Sequence, residues 1–124
     1  MQEIGSIFHF EAAHRLPRHT GKCKDLHGHS YKLEVTVEGE PCRQEARSDW
    51  GMIMDFTDFK NIVREVVLDL HDHQDLNNIY PNPTAENMVI AIASAISEKL
   101  PGGVALTMVR LWETEKNYAI WRTS

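Results

Sequence analysis

Apolar and polar residues alternate along residues 2 to 13, with Ile4, Ser6, Phe8 and Phe10 on one side and Glu3, Gly5, Ile7, His9 and Glu11 on the other. That period of two predicts a strand. Pro17 and Gly21 break the next stretch into a loop. A second alternating run, rich in β-branched residues, spans about Leu26 to Gly39. A polar connection over 40–49 leads to a third predicted strand, Trp50–Asp55, close enough to the second to pair with it as an antiparallel hairpin.

The period then lengthens. Phe56, Phe59, Ile62, Val63, Val66, Val67 and Leu70 fall on one helical stripe, and Asp55 or Thr57 can cap its start. A second helix begins after Asn82-Pro83-Thr84, with Thr84 as N-cap and Glu86 in the first turn, where an acid suits the helix dipole. Its stripe is Ala85, Met88, Val89, Ile92, Ala93, Ile96 and Leu100, and Pro101-Gly102-Gly103 ends it. Val104–Thr114 and Asn117–Trp121 read as a last pair of strands. The order is ββ(β)ααββ: antiparallel strands and two amphipathic helices that need only one sheet face, an α+β arrangement.

Composition narrows the class. A chain of 124 residues suits one domain, 1–124, with a single core. Its net charge of −5 argues against a nucleic-acid or acidic-membrane binder, which needs a basic stripe. The apolar runs are too short for a bilayer span. Met1–Gly5 carries neither the basic nor the apolar region of a signal peptide, and two cysteines make no disulfide scaffold, so a cytoplasmic protein is expected. Seven histidines change the picture, because His9, His14, His19, His27 and His29 all lie in the first quarter.

Within Cys23-Lys24-Asp25-Leu26-His27-Gly28-His29, the two histidines stand two apart and lead into a strand, so both imidazoles project to one face. Two imidazoles aimed at one point make half of a zinc site, and His14 is the best candidate for a third. Three neutral nitrogen ligands leave the fourth tetrahedral position open, as in catalytic rather than structural zinc. The alternative is a pair of solvent-facing strand histidines. Cys23, flanked by Lys22 and Lys24, has the cationic neighbours that favour a thiolate. It reads equally as a fourth zinc ligand or an ordinary exposed thiol.

Two further stretches carry chemistry. Asp72-His73 pairs a carboxylate with an imidazole that moves protons, although Asp75 is an equal partner by position and a polar helix terminus would look the same. Glu113, in Trp112-Glu113-Thr114, ends an apolar strand, where its carboxylate can accept two hydrogen bonds from a guanidine-like edge; an exposed acid beside a turn is the plainer reading.

Taken in order, Phe10-Glu11-Ala12-Ala13-His14-Arg15-Leu16, Cys23-x-x-x-His27-Gly28-His29, Gly51-Met52-Ile53-Met54-Asp55-Phe56, Asp72-His73-x-x-Leu76-Asn77, Pro83-Thr84-x-Glu86-Asn87 and Glu113-Thr114 resemble the 6-pyruvoyl-tetrahydropterin synthase / 6-carboxy-tetrahydropterin synthase family over nearly the whole chain. The resemblance implies that His14, His27 and His29 hold zinc, that Cys23 is the general base, and that His73 with Asp72 is a second proton-transfer unit. It further implies that Glu113 anchors a pterin ring, and that Thr84 and Glu86 help line its pocket. The implied fold is the tunnelling or T-fold, a four-stranded antiparallel sheet with two antiparallel helices on one face. Three such chains close a barrel and two trimers stack as a homohexamer with interfacial active sites. The implied substrate is 7,8-dihydroneopterin triphosphate.

The resemblance also ranks the outcomes. The short 40–49 connection favours a 6-carboxytetrahydropterin synthase, a zinc lyase of queuosine-type deazapurine biosynthesis, over a 6-pyruvoyl-tetrahydropterin synthase. Cys23 speaks against the aldolase branch, whose members carry an acid in its place. His71 stands where the family is usually aliphatic and puts a third imidazole near the Asp72–His73 pair. From other classes come a non-catalytic zinc or pterin-binding module, which needs the three histidines but not Cys23 and His73 together, and a generic three-histidine zinc hydrolase, which would tolerate loss of Glu113.

Overall fold

The computed structural model describes residues 1–123. Strand β1 runs over Gln2–His14 and pairs antiparallel along its whole length with β2, His27–Gly39. Strand β4, Ala105–Trp112, takes the other edge of β2, and β5, Tyr118–Arg122, pairs with β4. The residue pair Gln74–Asp75 forms a short β3 that lies parallel to β1 at Ala12–Ala13. Among the described residues the sheet therefore has five strands in the order β3-β1-β2-β4-β5, not the four expected, and one of its pairings is parallel.

The predicted strand at Trp50–Asp55 is absent. Both edges of β2 are already occupied, by β1 and β4, so a hairpin partner has no ladder to join. The segment folds locally instead. Gly51 turns at φ +82, Cys42 exchanges backbone hydrogen bonds with Gly51 and Met52 at 2.8 Å each, and Asp55 accepts from Thr57 N–H as the N-cap of the next helix.

That helix, α1, begins as Phe56–Val63, widens into a π-helical segment at Arg64–Leu68 and closes over Asp69–His71. Its buried residues are Phe59, Val63, Val67 and His71, spaced by four. At 3.6 residues per turn such a row drifts by roughly 40° at each step. The wider π turn takes back part of that drift and keeps the row on the core. Phe56 and Leu70, expected on the stripe, are instead more than half exposed. The second helix, α2, spans Ala85–Ser97, and Thr84 caps it as predicted by accepting from Asn87 N–H.

One face of the sheet carries the core. Phe8, Phe10, Ala12 and His14 from β1 alternate inward with Tyr31, Leu33, Val35 and Val37 from β2, and they pack with Phe59, Val63 and Val67 of α1 and Met88, Ile92 and Ile96 of α2. The period of two makes His14, His27 and His29 a continuation of that inward row. The histidines thus stand at the end of the core face, under partial cover.

Candidate functional site

The ladder itself builds the histidine cluster. His14 is the last residue of β1 and pairs with His27, the first of β2, while Ala12 pairs with His29. Strand geometry sends all three side chains to the same face. Their ring centroids lie 4.7 to 5.0 Å apart, and one ligand atom from each falls within 4.8 Å of the others. The three imidazoles are close enough together to hold one metal ion.

Protonation is set by the surroundings. His14 Nδ1–H donates to the carbonyl of Pro83 at 2.8 Å, and His27 Nδ1–H donates to the carbonyl of Asp25 at 2.7 Å. Each bond holds the proton on Nδ1 and turns the Nε2 lone pair inward, the usual preparation of a metal-binding imidazole. Nε2 of His14 and of His29 are buried without a hydrogen-bond partner. A buried polar atom left unpaired is costly unless something is meant to meet it, so the donor set fits a metal. Asn77 fixes the chain just beyond His14: its side chain accepts from Arg15 N–H at 2.8 Å and donates to Arg15 O at 3.0 Å.

Glu113 follows β4 directly, and the β2–β4 register carries it to the same end of the sheet. Its Oε1 lies 3.2 Å from His14 Nε2 and 3.6 Å from His29 Nε2. His14 first, then His29, holds the Glu113 carboxyl below its ordinary range against the opposing effect of burial. Burial pushes the His14 imidazole down, yet Glu113 and the Pro83 carbonyl outweigh it and leave its pKa raised. For His29 burial wins, helped by the neighbouring imidazoles, and its pKa is lowered. Beneath them Tyr31 is fully buried, and burial raises its hydroxyl pKa.

Glu113 also lines a cavity of about 520 Å³ with Ala85, Glu86, Val89, Tyr118 and Trp121. Its wall is apolar apart from the two acids and the polar turn at Asn117. Glu86 stands on this wall. Thr84 is not on this wall; its hydroxyl is engaged in capping α2.

A groove of similar size, about 520 Å³, opens beside His29 and has His73 on its other wall. His73 stands at φ +60, donates its backbone N–H to Glu11 O at 2.6 Å, and meets Asp72 Oδ1 through Nδ1 at 3.0 Å. The same Asp72 oxygen accepts from Glu11 N–H at 2.9 Å, which, with His73, holds the carboxyl below its usual range. Asp72, not Asp75, is thus the partner of His73. Asp75 caps the turn at Leu76–Asn78.

His71 turns away from that pair. It is 4% exposed, its Nδ1–H donates to Val67 O at 2.7 Å, and its Nε2 accepts from the Tyr80 hydroxyl at 2.6 Å. Burial lowers its pKa, so the ring is a neutral core group. Cys23 sits half-buried on a one-turn 3₁₀ helix, Lys22–Lys24, outside the histidine cluster. The carbonyls of Pro83 and Asp25 escaped sequence reasoning, since a backbone acceptor carries no residue signature.

Comparison with known proteins gives the family. The sequence profile described as 6-pyruvoyl tetrahydropterin synthase matches residues 3–124. The chain is 42% identical over 104 residues to a dihydroneopterin monophosphate aldolase of Pyrococcus furiosus, covering 84% of this chain and 82% of the relative. It is 33% identical over 140 aligned positions to the 6-carboxy-5,6,7,8-tetrahydropterin synthase of Haemophilus influenzae, covering 95% and 96%. The solved structure of Caenorhabditis elegans 6-pyruvoyl tetrahydropterin synthase superposes with a TM-score of 0.81 at 27% identity, over 99% of this chain and 96% of that one. No helix among the described residues is long and apolar enough to cross a membrane. The chain belongs to the 6-pyruvoyl tetrahydropterin synthase family.

Proposed function

We propose that the chain is a 6-carboxy-5,6,7,8-tetrahydropterin synthase, a cytoplasmic zinc lyase of queuosine-type deazapurine biosynthesis. It would convert 7,8-dihydroneopterin triphosphate and water to 6-carboxytetrahydropterin, acetaldehyde and triphosphate. The observation that carries this is the convergence of His14, His27 and His29 beside Glu113, which itself lines a cavity large enough for a pterin.

Zinc held by the three imidazoles would supply a Lewis acid that acidifies hydroxyls and polarises a carbonyl. Everything else falls to side chains. The Glu113 carboxylate, kept ionised by its neighbours, accepts the two N–H groups of the pterin's guanidine-like edge, with Glu86 beside it and Thr84 holding the helix start. Asp72 keeps the His73 proton on Nδ1, so Nε2 is the atom that takes or gives a proton on the substrate side chain. Cys23 is the second proton-transfer group, as base, in the loop between His14 and His27. Taking a proton beside a carbon that bears phosphate permits loss of triphosphate.

The His73 side chain is 78% exposed. That exposure suits a site completed by another subunit. The free edge of β5 and the helix-free sheet face, with Ile7 and Tyr118 about half exposed, suit closure into a barrel. We assign the assembly as a homohexamer of two trimers.

The test is incubation of zinc-loaded protein with 7,8-dihydroneopterin triphosphate and identification of products by mass spectrometry. A 6-carboxy pterin with acetaldehyde is expected. A 6-pyruvoyl product would move the chain to the sibling activity. A second reading rests on the 42% identity to a protein named as a monophosphate aldolase; cleavage of 7,8-dihydroneopterin monophosphate in preference to the triphosphate would select it. No turnover of either substrate would sink the enzyme reading and leave a binding module.

A further inference from the structure

Three imidazoles leave one position of a tetrahedral zinc site open, and the fold puts a carboxylate oxygen beside it. Glu113 Oε1 stands 3.2 Å from His14 Nε2 and 3.6 Å from His29 Nε2. With metal–ligand bonds of ~2.0–2.2 Å, two ligands of one tetrahedral zinc lie about 3.3–3.6 Å apart. The 3.6 Å contact has the length of an edge between ligands, and the 3.2 Å contact is slightly shorter than one.

They lack the character of hydrogen bonds. Neither Nε2 has a hydrogen-bond partner, although Oε1 is close to both. His14 spends its Nδ1 proton on Pro83, so Nε2 presents a lone pair. A carboxylate oxygen this close to an imidazole nitrogen is favourable only when a cation lies between them, either a proton on Nε2 or a metal ion. At 3.2 Å the two atoms leave no room for a water between them.

We propose that Glu113 is the fourth metal ligand of the substrate-free enzyme and leaves the metal when substrate enters. The inference rests on the three-histidine metal reading and goes beyond it. Glu113 also lines the cavity, so one carboxylate serves two partners in turn. A ligand bearing a guanidine-like N–H pair draws the carboxylate away and frees the fourth position only when that ligand is present. The metal is closed to water and to stray anions until then.

Cobalt(II) replaces zinc in the full chain, without substrate, and its visible absorption reports the ligands directly. The wild type is expected to show a spectrum that added acetate leaves unchanged. Glu113→Gln, which keeps the shape of the side chain, is expected to alter that spectrum and to weaken zinc binding at least tenfold in competition with a chromophoric chelator. Glu113→Ala is expected to take up acetate, with its spectrum moving back towards wild type. Adding neopterin to the wild type is expected to change the spectrum as Glu113 is withdrawn. Identical cobalt spectra for wild type and both variants would overturn the proposal while leaving the metal reading intact. A wild-type chain that binds neither cobalt nor zinc would overturn both.

Discussion

His14 gives its Nδ1 proton to the carbonyl of Pro83 at 2.8 Å, across 69 residues of chain. The bond ties the end of β1 to the loop that launches α2. It fixes both the tautomer and the angle of the ring, so the metal-facing nitrogen is set by the packing of helix against sheet. The histidine cluster is therefore a property of the tertiary fold, not of one loop.

Metal binding and stability should be linked through this cluster. A ligand that binds only the folded chain stabilises it by about 4 kcal/mol at a free concentration a thousand times Kd. Chelation of zinc-loaded wild type is expected to lower its Tm by on the order of 10 °C. His14→Ala, His27→Ala and His29→Ala should each bind well under one zinc per chain and show almost no Tm response to chelator. Calorimetry with metal analysis measures both. An equal response in wild type and variants would rule out zinc at these residues.

The proton-transfer groups should separate from the metal. Positioned acid–base groups contribute ~10²–10⁴-fold to rate, and neither Cys23 nor His73 belongs to the histidine cluster. Cys23→Ala and His73→Ala are expected to lose that much kcat while keeping wild-type zinc content. Asp72→Asn keeps an acceptor for Glu11 N–H but removes the charge facing His73. Its kcat should fall more than tenfold with a smaller change in KM. A variant set that loses zinc along with kcat would place these residues among the ligands instead.

Much of this was legible because periodicity and spacing carry it. The alternation in 2–13 and 26–39 gave β1 and β2, and the His-x-His spacing inside a strand gave two imidazoles on one face. The cap at Thr84 followed from residue type. Trp50–Asp55 misled because it is a short apolar run of strand length, while the missing information was that β2 has no free edge. Gln74–Asp75 is too short to show a period. The inward turn of His71 depends on a π segment, Arg64–Leu68, that no local pattern announces. The pairing of His73 with Asp72 rests on a φ of +60, and the tautomers of His14 and His27 rest on backbone carbonyls. The His14 bond is a contact across 69 residues, and the other two are local backbone geometry that no residue type announces.

The Thr84 cap should matter to stability more than to chemistry. Its hydroxyl accepts from Asn87 N–H at 3.1 Å, and loss of such a cap costs about 1 kcal/mol. Thr84→Ala is expected to lower the unfolding free energy measured in urea by that amount, and Thr84→Ser to restore it. Substrate KM should change less than for Glu86→Ala, whose side chain stands on the cavity wall. A Thr84→Ala variant with full stability and a KM raised more than that of Glu86→Ala would make Thr84 a substrate contact.

His71 gives the fold a pH dependence with a definite sign. Burial lowers its folded pKa below the ordinary 6.5, while the unfolded chain titrates near that value. Above pH 6.5 both forms are neutral and the full stability is present. As pH falls below that value the unfolded chain takes up a proton that the folded chain refuses, and stability drops by up to about 1.4 kcal/mol per pH unit until the folded pKa is reached. His71→Leu removes this term but leaves the Tyr80 hydroxyl, whose pKa burial pushes up to about 12, without its acceptor. The variant should thus be less stable by ~1–3 kcal/mol at pH 8. The deficit should shrink at pH 5, where wild type has lost the His71 contribution. Urea unfolding of both proteins across this range reads the difference directly. A deficit that stays constant with pH would show that His71 does not stay neutral in the fold.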